Sequence, residues 1–346
     1  MLRREIIRIL AVGWAVRLGR KPASGEPFPA GCSGHPAQPG AAERPGESPA
    51  VRAMVLGTAQ DGGIPHLGCR CAHCEEARCD PRRARLVASL ALADLAERKL
   101  FLIDASPDIR AQADRALGLF PPPVPKLAEV LAGVLLTHAH IGHYLGLAFF
   151  GYESMSTRKL PVHCSERMAA FLAGNGPWSQ LVRLENIALR TFKPDERIPL
   201  TASLSAVPFR VPHRDEFTDT MGFRIAGPAR SLLYIPDIQG WEAWERPFED
   251  ALRETDVALL DGTFFGPDDL PGRDMSAIGH PLIVDTLRRL RSLPAKDRPE
   301  VLFTHINHSH PALDSASPAR RAIEEAGARL AEEGETIDLA RSTKTD

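Results

Sequence analysis

The amino-acid sequence predicts an α/β fold, a four-layer αββα sandwich in which two β-sheets pack face to face beneath helices. The chain contains many short apolar runs flanked by Gly, Pro or charged residues, as expected of sheet strands. A few helical patterns lie between these runs, and no segment repeats at a fixed period. With 346 residues, the chain can form one large domain or two modest ones. Strands interleaved with a few helices favour the sandwich.

The predicted elements begin with a strand at 52–57, where an apolar run ends in a glycine turn. Further strands are predicted in chain order at 87–92, 100–103, 133–136, 160–163, 189–192, 204–207, 221–225, 232–235, 257–260 and 301–303. Helices are predicted at 109–117, 166–173, 241–254, 282–290 and 318–333. Ser317 is the expected N-cap of the last helix, Pro318 its first residue, and Gly334 follows its end.

Composition and charge argue against two classes of partner. Hydrophobic residues make up 44% and charged residues 25%, as in ordinary soluble enzymes. A formal net charge of −2 and an aromatic content of 6% give no reason to expect nucleic acid. No apolar run reaches the roughly 18–20 residues that a transmembrane helix needs. We expect a small-molecule or peptide substrate, and a homodimer remains open.

Residues 1–50 differ from the rest of the chain and divide it into two parts. Their Pro-, Gly- and Ala-rich stretch predicts either a disordered segment or an export leader. The Arg-Arg-x-Ile-Ile-Arg pattern at 3–8 is similar to a twin-arginine signal, although Arg17 interrupts the apolar region after it. The protein is therefore expected to be either cytoplasmic or exported. The folded domain is expected at 51–340.

A histidine cluster follows the strand predicted at 133–136. Its pattern is His-x-His-x-x-His, formed by His138, His140 and His143. Two imidazoles two residues apart, on a loop leaving a strand, can turn toward one point outside the sheet, and the third can face a neighbouring position. Neutral imidazole suits zinc, iron and manganese alike, so the cluster predicts a metal site without naming the metal.

This loop resembles the signature His-x-His-x-Asp-His of the metallo-β-lactamase superfamily. Three later motifs occur in the order that the superfamily requires: Val211-Pro212-His213, Tyr234-Ile235-Pro236-Asp237 and Phe303-Thr304-His305. The resemblance spans residues 52 to 312 and implies the metallo-β-lactamase sandwich. It also implies an active site with two metal positions bridged by Asp237, for which six residues are the expected ligands: His138, His140, His143, His213, Asp237 and His305.

One position departs from the signature. Gly142 stands where the superfamily has an aspartate that binds the second metal and orients the attacking water. The hypothesis that follows is one strongly bound metal at His138, His140 and His213, with Asp237 beside it. A second metal would be weaker, or would take a carboxylate from elsewhere, such as Asp61.

Four of the six cysteines lie within eleven residues, which favours a metal site over a disulfide framework. Cys69, Cys71 and Cys74 form Cys-x-Cys-x-x-Cys, three thiolates that need a fourth ligand to complete a tetrahedral zinc site. His73, Cys79 and His310 are candidates for the fourth place.

The cysteine motif resembles two relatives within the superfamily, the pyrroloquinoline quinone biosynthesis protein B group and the cyclic phosphodiesterase of phosphonate breakdown. In the latter, a histidine three residues beyond the last active-site histidine completes a structural zinc site, and that position is His308 here. The resemblance therefore implies a structural zinc held by Cys69, Cys71, Cys74 and His308. Segments such as Ser106-Pro107-Asp108-Ile109-Arg110 and His305-Ile306-Asn307-His308 are more similar to the protein B group.

The resemblance implies a metal-dependent hydrolase in which zinc, manganese or iron activates water and Asp237 orients it. His280 is a candidate proton donor, because related hydrolases have a histidine in a comparable loop, although a helix-capping role is an alternative. Asp104, Asp108 and Asp261 are candidates to hydrogen-bond the far nitrogens of ligand histidines. Two other functions remain open: an iron-dependent oxygenase in quinone-cofactor biosynthesis, and a non-catalytic metal carrier.

Overall fold

Two seven-stranded sheets, packed face to face, form the centre of the computed structural model, which describes residues 51–275 and 278–342. In the first sheet the strand order is β14-β1-β2-β3-β4-β5-β6. These strands are β1 (Val51–Gly57), β2 (Ser89–Asp94), β3 (Lys99–Ile103), β4 (Leu131–Leu135), β5 (Leu160–Cys164), β6 (Ile187–Thr191) and β14 (Thr336–Asp338). The interpretations of residues 1–50 lie outside the described residues.

The second sheet has the strand order β13-β12-β11-β10-β9-β8-β7. Its strands are β7 (Ile198–Pro199), β8 (Ser205–Val211), β9 (Thr220–Ala226), β10 (Ser231–Ile235), β11 (Val257–Asp261), β12 (Glu300–Thr304) and β13 (Ala328–Leu330). Strands β10 to β13 run parallel, and β8 and β9 pair antiparallel beside them. Both sheets are therefore mixed.

Alternating side chains divide the core into three layers. In β1, Val55 joins the cluster between the sheets, whereas Leu56 faces the outer helices of the first sheet. In β11, Leu259 lies between the sheets and Leu260 faces the outer helices of the second. Because successive strand residues point to opposite faces, a sheet that is apolar on both faces needs a cover on each. The predicted αββα sandwich is confirmed.

Nine α-helices are found within the described residues. They are α1 (Ala72–Cys79), α2 (Ile109–Leu117), α3 (Leu127–Val130), α4 (Ile141–Tyr144), α5 (Glu166–Gly174), α6 (Trp178–Arg183), α7 (Phe248–Arg253), α8 (Ile283–Ser292) and α9 (Pro318–Glu325). Buried residues of α2, α5 and α6 cover the first sheet, and those of α7, α8 and α9 cover the second. Among the described helices, none has the length and apolar character needed to cross a membrane.

Two helix predictions were wrong in extent. The helix predicted at 241–254 begins only after Pro247, because proline disfavours helical backbone in the residue before it. The helix predicted at 318–333 ends at Glu325, and Gly327 follows with a φ of 78°. Only glycine enters that left-handed region at little cost, and it redirects the chain into β13, which pairs with β12. Ser317 does cap α9, accepting a hydrogen bond from Arg320 N.

Candidate metal centre

Loops at one edge of the sandwich carry all the predicted active-site residues. His138 follows β4, His213 follows β8, Asp237 follows β10 and His305 follows β12. The carboxyl ends of parallel strands meet at the same edge of a sheet, which is where open α/β folds place their ligands. Strand direction in both sheets therefore brings residues far apart in sequence to one place.

Three imidazoles and one carboxylate converge in the first cluster. The Nε2 atom of His138 lies 2.9 Å from Nδ1 of His140, which lies 3.2 Å from Nε2 of His213. The Oδ2 atom of Asp237 lies 3.4 Å from His138 Nε2 and 3.1 Å from His213 Nε2. A tetrahedral zinc ion with bonds of about 2.0–2.1 Å has ligand atoms roughly 3.3 Å apart. The cluster therefore fits a metal of this size.

The far nitrogens of His138 and His140 contact other side chains, whereas the buried Nδ1 of His213 has no hydrogen-bond partner among the described residues. His138 Nδ1 lies 3.0 Å from Thr137 Oγ1, and His140 Nε2 lies 3.3 Å from Glu216 Oε1. Such contacts fix the ring orientation and tautomer of a ligand histidine. Sequence reasoning did not find Thr137 or Glu216, and a lone glutamate on a loop carries no pattern that would reveal it.

Electrostatics keep the carboxylate of the first cluster ionised. Burial acts to raise the pKa of Asp237, but the neighbouring His305 and His280 hold it well below its ordinary value. Burial also lowers the pKa of His138 well below its ordinary value. A neutral imidazole and an ionised carboxylate are the forms in which these groups bind metals.

His143 is positioned by Asp104, one of the three predicted supporting aspartates. Asp104 Oδ2 lies 2.6 Å from His143 Nδ1, and Asp104 Oδ1 accepts hydrogen bonds from the backbone and hydroxyl of Thr137. Burial opposes protonation of His143, yet the Asp104 carboxylate raises its pKa to about 9. His143 Nε2 is buried and has no hydrogen-bond partner within the described part of the chain. His143 thus has Nε2 available as a metal ligand.

We expect Asp104→Asn to weaken metal binding at His143 by about 10- to 100-fold, as is usual when the partner of a ligand histidine is lost. Asp104 has a φ of 66°, a left-handed conformation that asparagine also adopts, so the backbone should keep its shape. Calorimetric titration of the metal-free protein with Mn²⁺ would measure the change. Asp108→Asn is the control, since Asp108 Oδ2 accepts from Val87 N, and unchanged affinity in Asp104→Asn would contradict the assignment.

Asp261 and Thr263 contact two further histidines of the site, His280 and His305. Asp261 Oδ2 lies 2.8 Å from His280 Nδ1 and accepts from Ile238 N, while Thr263 Oγ1 lies 2.9 Å from His305 Nδ1. His305 has a φ of 61°, and its buried Nε2 has no hydrogen-bond partner among the described residues. Of the predicted supporting aspartates, Asp104 and Asp261 contact histidines of the site, whereas Asp108 holds the backbone of Val87.

A separate group of sulfur and nitrogen atoms lies beside the opening loop, the segment that follows β1 and carries Asp61 and the three cysteines. The Sγ atoms of Cys69 and Cys71 lie 3.4 Å and 3.6 Å from His308 Nδ1, and Cys74 Sγ completes a set within 4.8 Å. Zinc bonds of about 2.3 Å to sulfur and 2.0 Å to nitrogen give separations of roughly 3.5 Å. Burial raises the pKa of Cys74 to about 12, so a bound cation is needed to keep this thiol ionised.

The other candidates for the fourth ligand lie elsewhere. Among the described residues, the group that meets the distance criterion contains His308 and leaves out His73, Cys79 and His310. Cys79 is exposed, and His310 is buried with its Nδ1 accepting a hydrogen bond from Ala312 N. The geometry therefore favours His308, and the resemblance had implied the same residue.

Comparison with known proteins places this chain in a family. Residues 99–306 match the family described as "Beta-lactamase superfamily domain". The chain is 31% identical over 312 residues to coenzyme PQQ synthesis protein B of Methylobacterium sp. (strain 4-46), covering 84% of this chain and all of that protein. It is 30% identical over 318 residues to the same protein of Bradyrhizobium diazoefficiens, with the same two coverages.

Solved structures show the same fold. Zinc-bound PqqB from Methylobacterium extorquens superimposes with a TM-score of 0.70 at 24% identity, covering 83% of this chain and all of that one. A diphosphatase from the PhnP family superimposes with a TM-score of 0.59 at 23% identity, covering 84% of this chain and 97% of that one. The chain therefore belongs to the β-lactamase superfamily, has the metallo-β-lactamase fold, and is a homologue of coenzyme PQQ synthesis protein B.

Proposed function

We propose that this protein is a metal-dependent hydrolase acting on a small molecule. The observation that carries the proposal is the convergence of His138, His140, His213 and Asp237, whose four ligand atoms lie within 4.8 Å of one another. A divalent metal held there would supply Lewis acidity and would make water a nucleophile near neutral pH. The structure of a diphosphatase with this fold is consistent with hydrolysis.

The chain's own residues supply two further functions. Asp237 directs Oδ2 toward the imidazoles of the first cluster, while its buried Oδ1 lies 3.4 Å from Nδ1 of His280 and is placed to orient water beside that histidine. The Nδ1 atom of His280 is held by Asp261, which leaves Nε2 for a substrate atom. Burial opposes its charge, but Asp261 and Asp237 raise the pKa of His280 to about 9, so it can donate a proton.

The cleft beside His280 has a size suited to a small substrate. It has a volume of about 500 Å³, and its lining includes His280, Arg214, Gln239 and Met275. Arg214 is largely exposed and brings a cation to the cleft. The same lining carries two carboxylates, Glu242 and Asp285, so Arg214 can bind an anionic group of a substrate while the acidic side chains contact a polar or cationic part.

His280→Gln is expected to lower kcat by about 10²- to 10⁴-fold for substrates with poor leaving groups, since those need a proton donor. Substrates that release 4-nitrophenolate should lose much less, because that anion leaves without protonation. Steady-state kinetics on matched pairs of phosphodiesters and esters, with zinc or manganese bound, would measure this difference. His163→Gln on β5 is the control. Equal losses for both leaving groups would assign His280 a positioning role instead.

The proposal itself is tested by a panel of phosphodiesters, diphosphates and carboxylic esters, assayed with each metal. Turnover that requires the metal and is lost in His280→Gln would support it. If the fully loaded protein cleaves none of these substrates, the hydrolase assignment is wrong, and a metal-carrying role would then be favoured.

Iron-dependent oxygenation is the second candidate, and one observation favours it. Asp61, His143 and His305 form a set of two histidines and one carboxylate, which suits Fe²⁺ and oxygen activation. The homologues are named for synthesis of a quinone cofactor. Oxygen consumption by the Fe²⁺-loaded protein with ascorbate as reductant would support this function, and no consumption above the zinc-loaded control would exclude it under those conditions.

A further inference from the structure

Asp61 occupies the space that an aspartate at position 142 would need. Gly142 lies in the first turn of α4, and its backbone N–H donates to Asp61 Oδ1 at 3.0 Å. A Cβ atom on residue 142 would lie 2.1 Å from that oxygen and 2.9 Å from the Asp61 Cα. These separations are too short for any side chain. A carboxylate at 142 and Asp61 in its present place therefore exclude each other.

Two buried nitrogens face this carboxylate without a partner. Neither His143 Nε2 nor His305 Nε2 has a hydrogen-bond partner among the described residues, although both side chains are fully buried. Leaving a buried polar atom unpaired costs about 1–3 kcal/mol. Asp61 Oδ1 lies 3.7 Å from His143 Nε2, and one oxygen and the two nitrogens lie within 4.8 Å of one another. This arrangement is too open for direct hydrogen bonds and suits a shared cation.

We propose that Asp61, His143 and His305 bind a second divalent cation, with Asp61 taking the role that Gly142 cannot fill. The inference rests on the proposed hydrolytic centre and changes its composition from one strongly bound metal to two. Asp237 Oδ2 lies 3.8 Å from His305 Nε2 while it contacts the first cluster, so it stands between the two positions. The sequence predicts a single strongly bound metal because residue 142 is glycine. In the proposed second site, the missing carboxylate is supplied by Asp61 in the loop after β1.

A competing set of ligands is less suitable for the second cation. Asp237, Asp261, His280 and His305 also lie within 4.8 Å of one another. However, Asp261 already accepts hydrogen bonds from Ile238 N at 3.1 Å and from Thr263 N at 2.9 Å, and its Oδ2 lies 2.8 Å from His280 Nδ1. A cation there would have to break these bonds. At the Asp61 position, His143 Nε2 and His305 Nε2 have no hydrogen-bond partner among the described residues, and the Asp61 carboxylate keeps lone pairs beside the one that accepts from Gly142 N.

Backbone pairing fixes Asp61 relative to His305. Ala59 and Ile306 form a parallel bridge, in which Ile306 N donates to Thr58 O at 2.7 Å and Gln60 N donates to Ile306 O at 3.0 Å. The Asn307 side chain also donates to Gln60 Oε1 at 2.7 Å. The loop carrying Asp61 is therefore an extension of the sheet edge that carries His305. Two of the three ligands are held in fixed register, which is the preorganisation a metal site needs.

Metal counting and electron paramagnetic resonance with Mn²⁺ test the proposal. After the active-site metals are replaced by Mn²⁺, the wild-type protein should hold two Mn²⁺ ions close enough for spin coupling, since two-metal sites place ions about 3.5–4 Å apart. Asp61→Ala should hold one and show the spectrum of an isolated ion, with second-site affinity at least about 100-fold weaker. Asp61→Asn, which keeps the size of the side chain, should show the same loss. Asp80→Ala on the neighbouring surface is the control.

The swap variant Asp61→Gly with Gly142→Asp gives an independent outcome. Removing Asp61 makes room for a carboxylate at 142, so the double variant should regain the coupled pair, while Gly142→Asp alone should not. A coupled pair retained in Asp61→Ala, or one Mn²⁺ per wild-type centre at saturation, would overturn the proposal. Failure of the hydrolase assignment would look different: two ions would bind as expected, yet no substrate would be cleaved.

Discussion

Replacing His213 with alanine is expected to remove the metal from the first cluster and to lower kcat/KM about 10³-fold, a loss of roughly 4 kcal/mol of transition-state stabilisation. His213 comes from the second sheet and lies 3.1 Å from Asp237 and 3.2 Å from His140, so its loss opens the cluster on one side. Elemental analysis of the purified variant and its kinetics on the best substrate of the hydrolysis panel would measure both effects.

The side chain of His213 is buried, so its removal must be separated from damage to the fold. His163→Ala, a histidine on β5 outside the cluster, is the matched control and should keep full metal content and activity. Circular dichroism should show the same secondary structure in the two variants. If His213→Ala keeps its active-site metal and its turnover, the first cluster is not the catalytic centre.

The part of the site that sequence alone could predict is the part carried by local patterns. His138 and His140 lie two residues apart on one loop, so their convergence follows from the strand before them. His213 and Asp237 could be placed only through the resemblance, because no local pattern brings two separate sheets to one edge. From the sequence, Asp104 was one of three aspartates that could support a ligand histidine. The structure assigns it to His143, whose Nδ1 lies 2.6 Å from Asp104 Oδ2.

The relation between Asp61 and Gly142 shows what local reasoning could not decide. The local sequence shows Gly142 only as a missing ligand and offers Asp61 as one source of a replacement among others. Its position depends on the bridge between Ala59 and Ile306, residues 247 positions apart, and such long-range pairing leaves no local signal. The extent of the helix predicted at 318–333 was wrong for the same reason, because long-range pairing decides the structure of its second half. Its composition favours helix, but pairing of β13 with β12 determines the conformation after Gly327.

His308→Ala is expected to remove one zinc ion per chain and to lower stability by at least about 3 kcal/mol, which corresponds to roughly 6–10 °C in melting temperature. Structural zinc contributes more to the stability of small zinc-finger domains, but this chain already has a large hydrophobic core between its two sheets. His308 is the ligand that joins the opening loop to the loop after β12, while the three cysteines lie within one short segment. Its removal therefore separates two segments without disturbing the thiols.

The same variant should also weaken binding of the second cation. Asp61 lies eight residues before Cys69, and His305 lies three residues before His308, so the zinc site of Cys69, Cys71, Cys74 and His308 would hold together the two loops that carry these ligands. We expect the Mn²⁺ affinity of the Asp61 site to fall in His308→Ala while the His213 site keeps its metal. Cys79→Ala is the matched control, because Cys79 is exposed and lies outside the group. Full zinc content and an unchanged melting temperature in His308→Ala would exclude His308 as the fourth ligand. Zinc loss with undiminished Mn²⁺ affinity would show that the hydrogen bonds of Gln60 to Ile306 and Asn307 suffice to position Asp61.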